Sequence, residues 1–251
     1  MALPLINLSS WSLQFPRGFL YLFIGPMSSN KSTALIMNAG MIADLHLQKV
    51  LLIVHSSDKD RVDGIFRMDG ISCHGSHFRG ISSKVTVIFS DNLSSIDITD
   101  FTTIAIEEGQ FFQDLEAMVR SWVVDFNKIV LISALSGDFE LNVFGPTINL
   151  IPLATNIFKM SAQCALCMIF KGIYPCSADY SARLTREKKQ VIVAGKNIYR
   201  PACLYCFKCV RTLINSDHPQ MDQLLEQIRL DQVSEQSSLL IRSLTSPPNS
   251  Q

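Results

Sequence analysis

The sequence predicts an α/β fold, a mostly parallel sheet flanked by helices, followed by a small cysteine-rich domain. Strand-length apolar runs alternate with segments whose apolar residues recur at helical spacing. Gly25 to Ser32 nearly matches a phosphate-binding loop between the first such run and the first such segment. Two Cys-x-x-Cys pairs, Cys164 with Cys167 and Cys203 with Cys206, follow the last long apolar run.

Residues 1–17 mix Pro4, Ser9, Ser10 and Pro16 with scattered apolar residues and read as a loosely held lead-in. Phe19 to Ile24 is an apolar strand that stops at Gly25. Lys31-Ser32-Thr33 then opens a helix whose apolar residues are Ala34, Leu35, Ile36, Met37, Ala39, Met41 and Ile42. Lys49 to His55 suits a parallel strand buried on both faces. Ser56 to Ser83, rich in Ser, Asp, Gly and Arg, reads as a long loop beside the site. Val85 to Phe89, Thr103 to Ile106 and Lys128 to Ser133 are further strands, and Phe111 to Phe126 has helical spacing. In such sheets ligands bind outside the carboxyl ends of the strands. Past Asn149, the strand-like runs Asn149 to Pro152 and Ile157 to Met160 lead to the first cysteine pair, a basic stretch to Lys189, a strand-like Val191 to Val193, and the second pair. Met221 to Leu230 reads as an amphipathic helix, and the Ser- and Gln-rich chain from Ser234 as a disordered tail. The expected divisions are a lead-in at 1–17, an α/β domain at 18–155, a metal-binding domain at 156–211, and a helix with tail at 212–251.

With 47% hydrophobic residues the chain can bury a full core, and its 22 basic and 22 acidic residues balance. That balance lacks the electrostatic footprint of a nucleic-acid binder, so no nucleic-acid partner is expected and a zinc-ribbon nucleic-acid binder is disfavoured. No apolar run reaches membrane-spanning length and the first residues do not resemble a secretory signal, so a cytoplasmic protein without membrane contact is expected.

Gly25 to Ser32 fits G-x-x-x-x-G-K-[ST] except that Asn30 replaces the second glycine. A loop around phosphates needs inward backbone N–H groups and positive φ, and Asn is the non-glycine residue that best tolerates that geometry. Lys31 would then serve the β- and γ-phosphates and Ser32 would hold Mg²⁺; the competing reading is an ordinary strand-to-helix turn. Glu107 and Glu108 stand at the carboxyl end of a buried strand, where one acid helps hold Mg²⁺ and a neighbour takes the proton of an attacking hydroxyl; otherwise they form a solvated turn. The cysteine pairs suit a closed tetrahedral Zn²⁺ site of structural type, with redox-active cysteines as the alternative. Cys73, Cys176 and Cys209 are left over as small buried residues or unremarkable thiols.

These motifs together resemble the thymidine kinases of cellular and poxviral type. Gly25-Pro-Met-Ser-Ser-Asn-Lys-Ser-Thr33 is similar to that family's GPMFSGKST, and the IEEGQFF at 106–112 to its IDEGQFF. Ser133 to Phe139 with Phe144-Gly145 and Asn149 to Leu153 resembles AALDGTF…FG…NLIPL, and Phe158 to Cys167 resembles KLTAVCMKC. The similarity runs on through Tyr180, Arg183-Leu184, Glu187-Lys188 and Tyr199 to Cys203 and Cys206, covering about residues 18 to 209 in one order.

The resemblance implies a P-loop NTPase-like sheet with a zinc-binding lasso domain, and ATP-dependent phosphorylation of the 5′-hydroxyl of thymidine or deoxyuridine. It assigns Glu108 as catalytic base. Gly25, Pro26, Met27, Ser28, Ser29, Asn30, Lys31, Ser32, Thr33 and Glu107 fall to ATP and Mg²⁺, and Cys164, Cys167, Cys203 and Cys206 to structural Zn²⁺. The nucleoside pocket would comprise Met27, Phe111, Leu135, Phe139, Phe144 and Tyr199, with Ser181 near the thymine methyl and main-chain bonds from Ile192 and Ala194. The family also implies a homo-oligomer, dimer or tetramer. Asn30, Glu107 and Ser136 depart from its pattern, Lys59 stands at an aspartate position that Asp58 or Asp60 would reach by a one-residue shift, and the stretch from Cys167 to Arg183 is longer. Those departures carry a second reading, a nucleotide- or nucleoside-binding regulator without turnover.

Overall fold

The computed structural model describes residues 3–6, 17–45, 48–58, 84–173, 175–190 and 198–245. The chain forms two compact units, one of Met1–Ile24, Asn30–Leu135 and Val143–Lys159, the other of Gly25–Ser29, Ser136–Asn142 and Met160–Gln251.

In the first unit, β1 (Phe19–Gly25) leads into α1 (Lys31–Leu45). β2 (Val50–His55) runs parallel to β3 (Val85–Ser90) and to β4 (Thr103–Ile106). α2 (Leu115–Val124) precedes β5 (Ile129–Leu135), which is parallel to β4, and β6 (Asn156–Lys159) is parallel to β1. The sheet order is β3-β2-β4-β5-β1-β6. All four residues of β4 and the first five of β2 are buried, as unbroken apolar runs require when helices cover both faces. Trp122 of α2, 1% exposed, packs with Leu115, Val119 and sheet residues including Ile104 and Ile132. This arrangement collects the carboxyl ends of β1, β4 and β5 along one edge, where the motif residues follow.

In the first unit four element readings change. The helix expected from Phe111 starts at Leu115, because Glu108 turns left-handed and Gly109–Phe111 forms a 3₁₀ turn. Asn149 to Pro152 belongs to a 3₁₀ helix, Pro146–Leu153, whose two prolines cannot donate to a strand ladder. The run expected at Ile157 to Met160 is the edge strand β6 of the main sheet. The lead-in is held at residues 3–6: the buried Asn38 amide donates to the Pro4 carbonyl (3.0 Å) and accepts from the Ile6 amide (2.9 Å).

The second unit pairs β7 (Ala162–Gln163) with β8 (Ser177–Ala178), and β9 (Tyr180–Arg183) with β10 (Tyr199–Ala202), both antiparallel. Its helices are α3 (Cys167–Lys171), α4 (Leu204–Ile214), α5 (Met221–Arg229) and α6 (Glu235–Thr245). α5 is the expected amphipathic helix, burying Met221, Leu224, Leu225 and Ile228. The expected disordered tail is instead α6. Its Ile241 is fully buried, a contribution of about 1.5–3 kcal/mol that offsets ordering, and Arg242 donates to the carbonyls of Ile169 (3.0 Å) and Met168 (3.1 Å) in the last turn of α3. The strand-like Val191 to Val193 lies outside the described residues. Among those described, no helix is long and apolar enough to cross a membrane.

Candidate functional site

The expected phosphate loop begins where β1 runs out. A Cβ on Gly25 would lie 2.4 Å from the Met160 carbonyl oxygen and 2.8 Å from Ser29 Oγ, so only glycine fits. Ser28 and Asn30 have φ of 60° and 63°, the left-handed geometry expected for Asn30. Ser29 Oγ donates to the Pro26 carbonyl (2.9 Å), and the Asn30 carbonyl accepts from the Ala34 amide (3.0 Å), starting α1. A helix N-terminus carries partial positive charge, so the start of α1 suits an anion.

Lys31, Ser32, Glu107 and Glu108 come together in the first unit. The Glu107 amide donates to the Ile53 carbonyl (2.9 Å), extending the β2–β4 ladder. Its buried carboxylate accepts hydrogen bonds from both Ser32 Oγ and Ser133 Oγ. Burial and the Glu108 charge push the Glu107 carboxyl up to about 7, against the two hydroxyls and the Lys31 ammonium. Burial lowers the Lys31 pKa, opposed by Glu108 and Glu107. Hydroxyl and carboxylate oxygens alone fit a hard cation such as Mg²⁺.

Glu108 has φ 53° and ψ 49°, so the two acids diverge through a left-handed turn, not through the alternation of an extended strand. Its amide donates to Ser133 Oγ (3.3 Å), and its carboxylate accepts from Gln110 Nε2. Gln110 is buried, and its Oε1 accepts from the Leu135 amide at the end of β5 (3.1 Å). Ser133 therefore bonds to both acids, and Gln110 fixes Glu108 to β5. Neither role was read from sequence; Ser133's position at the polar end of an apolar strand is the signal that marks it.

Of the expected nucleoside residues, Phe111 and Phe144 meet edge to face at 5.7 Å in the first unit. Gly145 (φ 67°) is pressed so closely on Gln110 that a Cβ would sit 2.2 Å from its carbonyl oxygen. In the second unit Ser181 Oγ accepts from the Met27 amide (2.9 Å). The Arg183 guanidinium lies 5.0 Å from the Tyr199 ring centroid and over the Phe139 ring, donating to the carbonyls of Glu187 (3.0 Å), Lys189 and Gln190 (2.8 Å) and to the Tyr199 hydroxyl. Gln190 Nε2 donates to Asp138 Oδ2 (2.9 Å), whose other oxygen accepts the amides of Glu140 and Asn142. Sequence reasoning gave Arg183 and Asp138 no such roles, since most of their partners are backbone groups. Ile192 and Ala194 lie outside the described residues, as do Lys59 and Asp60, while Asp58 ends a short 3₁₀ turn after β2.

The sulfur atoms of Cys164, Cys167, Cys203 and Cys206 all lie within 4.8 Å of one another, and all four residues are buried. Zinc–sulfur bonds of about 2.3 Å in a tetrahedron set sulfur–sulfur distances near 3.8 Å, so the cluster fits that ion. The Ala165 amide, inside the first pair, donates to the Pro201 carbonyl (3.0 Å), holding the two knuckles together. Hydrogen bonding from Cys206 draws the Cys164 thiol down to about 4, and burial pushes Cys167 up to about 12. Cys209 is buried in α4, and Cys73 lies outside the described residues.

A protein-family model described as thymidine kinase matches residues 18–207. The chain is 32% identical over 189 residues to a thymidine kinase of rice (Oryza sativa subsp. japonica), covering 74% of this chain and 65% of that protein. It is 33% identical over 190 residues to a thymidine kinase of vaccinia virus (strain Western Reserve), and 34% identical over 190 residues to one of monkeypox virus. Each viral match covers 76% of this chain and 97% of the relative.

Proposed function

Because the chain belongs to the thymidine kinase family, we infer that it transfers the terminal phosphoryl group of ATP to the 5′-hydroxyl of thymidine or deoxyuridine. The observation that carries this is the Glu107 carboxylate held between Ser32 and Ser133 beside the buried Lys31, at the carboxyl ends of β4 and β5.

In this reading the backbone of Gly25 to Thr33 binds the ATP phosphates, with Lys31 opposite the β- and γ-phosphates. Ser32 and Glu107 hold Mg²⁺, which when bound neutralises charge developing on the transferred group. Glu108, kept in orientation by Gln110, accepts the proton of the nucleoside hydroxyl as phosphoryl transfer proceeds. Met27, Phe111, Leu135, Phe139, Phe144, Ser181 and Tyr199, with main-chain groups of Ile192 and Ala194, receive the nucleoside. Glu in place of the family's Asp keeps the charge at 107 and adds one methylene, and the two serine bonds support its reach to the metal position. The four clustered cysteines hold one structural Zn²⁺. The same reading makes the protein a cytoplasmic homo-oligomer, dimer or tetramer, a state that light scattering measures.

A coupled assay of ADP release with a panel of deoxynucleosides tests the activity. Turnover with thymidine and deoxyuridine is expected, and no turnover with any deoxynucleoside would overturn it.

A further inference from the structure

A fifth thiol stands against the cysteine cluster. Cys176 Sγ is 3.4 Å from Cys167 Sγ, and the placement is built into the backbone. β8 pairs with β7 in the register Ala162 to Ala178 and Gln163 to Ser177, and the Cys164 amide continues that ladder by donating to the Cys176 carbonyl (2.8 Å). The β7–β8 pairing thus delivers Cys176 to the cluster from the stretch between Cys167 and Arg183. The four clustered cysteines are buried, whereas Cys176 is partly exposed.

We propose that Cys176 is a peroxide-sensitive modification site that captures Cys167 in a disulfide and so removes one of the four zinc ligands. A tetrahedral ion needs four sulfurs, which leaves Cys176 over, its sulfur in van der Waals contact with that of Cys167. The Cys176 thiolate attacks one oxygen of hydrogen peroxide. The O–O bond breaks, a sulfenic acid forms, and hydroxide leaves to be protonated to water. The Cys167 thiolate then attacks the sulfenic sulfur, the S–O bond breaks, and a second hydroxide leaves as water. Two thiols lose two electrons and one peroxide gains them. Loss of the Cys167 thiolate leaves the ion three protein ligands and weakens its hold.

The inference rests on the zinc reading, and the experiment separates the two. Full-length protein, freed of reductant, is treated with hydrogen peroxide while a chelating dye reports zinc and peptide mass mapping reports disulfides. The wild type is expected to lose its zinc with a Cys167–Cys176 bridge, both reversed by dithiothreitol and added zinc. Cys176→Ser is expected to purify with full zinc and to release it at least about tenfold more slowly under peroxide. Equal release rates, or a bridge that excludes Cys176, would overturn the proposal, as would a Cys176→Ser protein lacking zinc, which would make Cys176 a ligand. Wild type without zinc would overturn the zinc reading alone, and the mapped bridge would still decide the role of Cys176.

Discussion

The Arg183 guanidinium lies 3.4 Å from the centroid of the Phe139 ring while donating to the main-chain carbonyls of Glu187, Lys189 and Gln190. One buried cation thus ties the segment after β9 to an aromatic residue of the expected nucleoside pocket. Lysine lacks the flat fork that stacks and donates in several directions at once. Arg183→Lys is expected to raise the thymidine KM by about tenfold with little change in the ATP KM. Arg183→Ala, which leaves several carbonyls unpaired, is expected to cost about 3 kcal/mol in urea unfolding. An unchanged thymidine KM in Arg183→Lys would reduce the residue to a structural role.

The parts legible in sequence were those whose signal is local. β2, β4 and β5 read correctly because strands covered on both faces are apolar throughout. That Lys31, Ser32, Glu107 and Glu108 lie together, and that the cysteine pairs cluster, was legible because their spacing is fixed by one loop, one strand end and two knuckles. Ser133, Gln110 and Arg183 were not, because their partners are distant in sequence or are backbone carbonyls, which any residue supplies. α6 was hidden because its stripe is thin, with Ile241 buried and Leu240 and Leu244 partly so among serines and glutamines.

Lys31 supplies charge that the loop's amides lack. Lys31→Ala is expected to abolish ATP binding measured by calorimetry with Mg²⁺. Because Asn30 already holds φ 63°, Asn30→Gly relieves the left-handed strain and is expected to bind ATP as tightly as wild type or more so. Equal ATP binding by Lys31→Ala and wild type would make the segment an ordinary turn.

Elemental analysis is expected to find about one zinc per chain, as in other closed four-thiolate sites. Cys203 caps α4 and belongs to the buried core of the second unit, so Cys203→Ser is expected to lose both the metal and the cooperative unfolding of that unit. A Cys203→Ser protein that stays folded with unchanged metal content would remove the assignment.

Glu107 gives a pH signature in protein without added Mg²⁺. Its folded-state pKa, about 7, exceeds the ordinary value of 4.5, so between those values the folded chain holds a proton that the unfolded chain has released. Stability from this group is therefore greatest below the lower value, falls as pH rises through the window, and levels off above about 7. Urea unfolding across that range is expected to show the decline in wild type relative to Glu107→Gln, which does not titrate. Parallel profiles would mean that the carboxylate stays charged throughout.

Glu107 and Glu108 are adjacent yet differently placed: the first accepts two serine hydroxyls, and the second, in a left-handed turn, is held by Gln110. A 5′-hydroxyl is a poor nucleophile at neutral pH, and a positioned carboxylate that takes its proton contributes about 10² to 10⁴ in rate. Glu108→Gln keeps the shape but cannot accept that proton, so ATP and thymidine should bind normally while kcat falls by at least about a hundredfold. Glu107→Gln keeps a base at 108 and weakens the metal side, so the Mg²⁺ concentration for half-maximal rate should rise while saturating Mg²⁺ restores much of the turnover. Gln110→Ala tests the support: with Glu108 free to rotate, kcat should fall by about tenfold while the Mg²⁺ requirement stays fixed. Steady-state Mg²⁺ titrations of the three variants, with binding measured by calorimetry, separate these outcomes. Full turnover in Glu108→Gln would return the base assignment to another group, and a shifted Mg²⁺ requirement in Glu108→Gln would exchange the roles of the two acids.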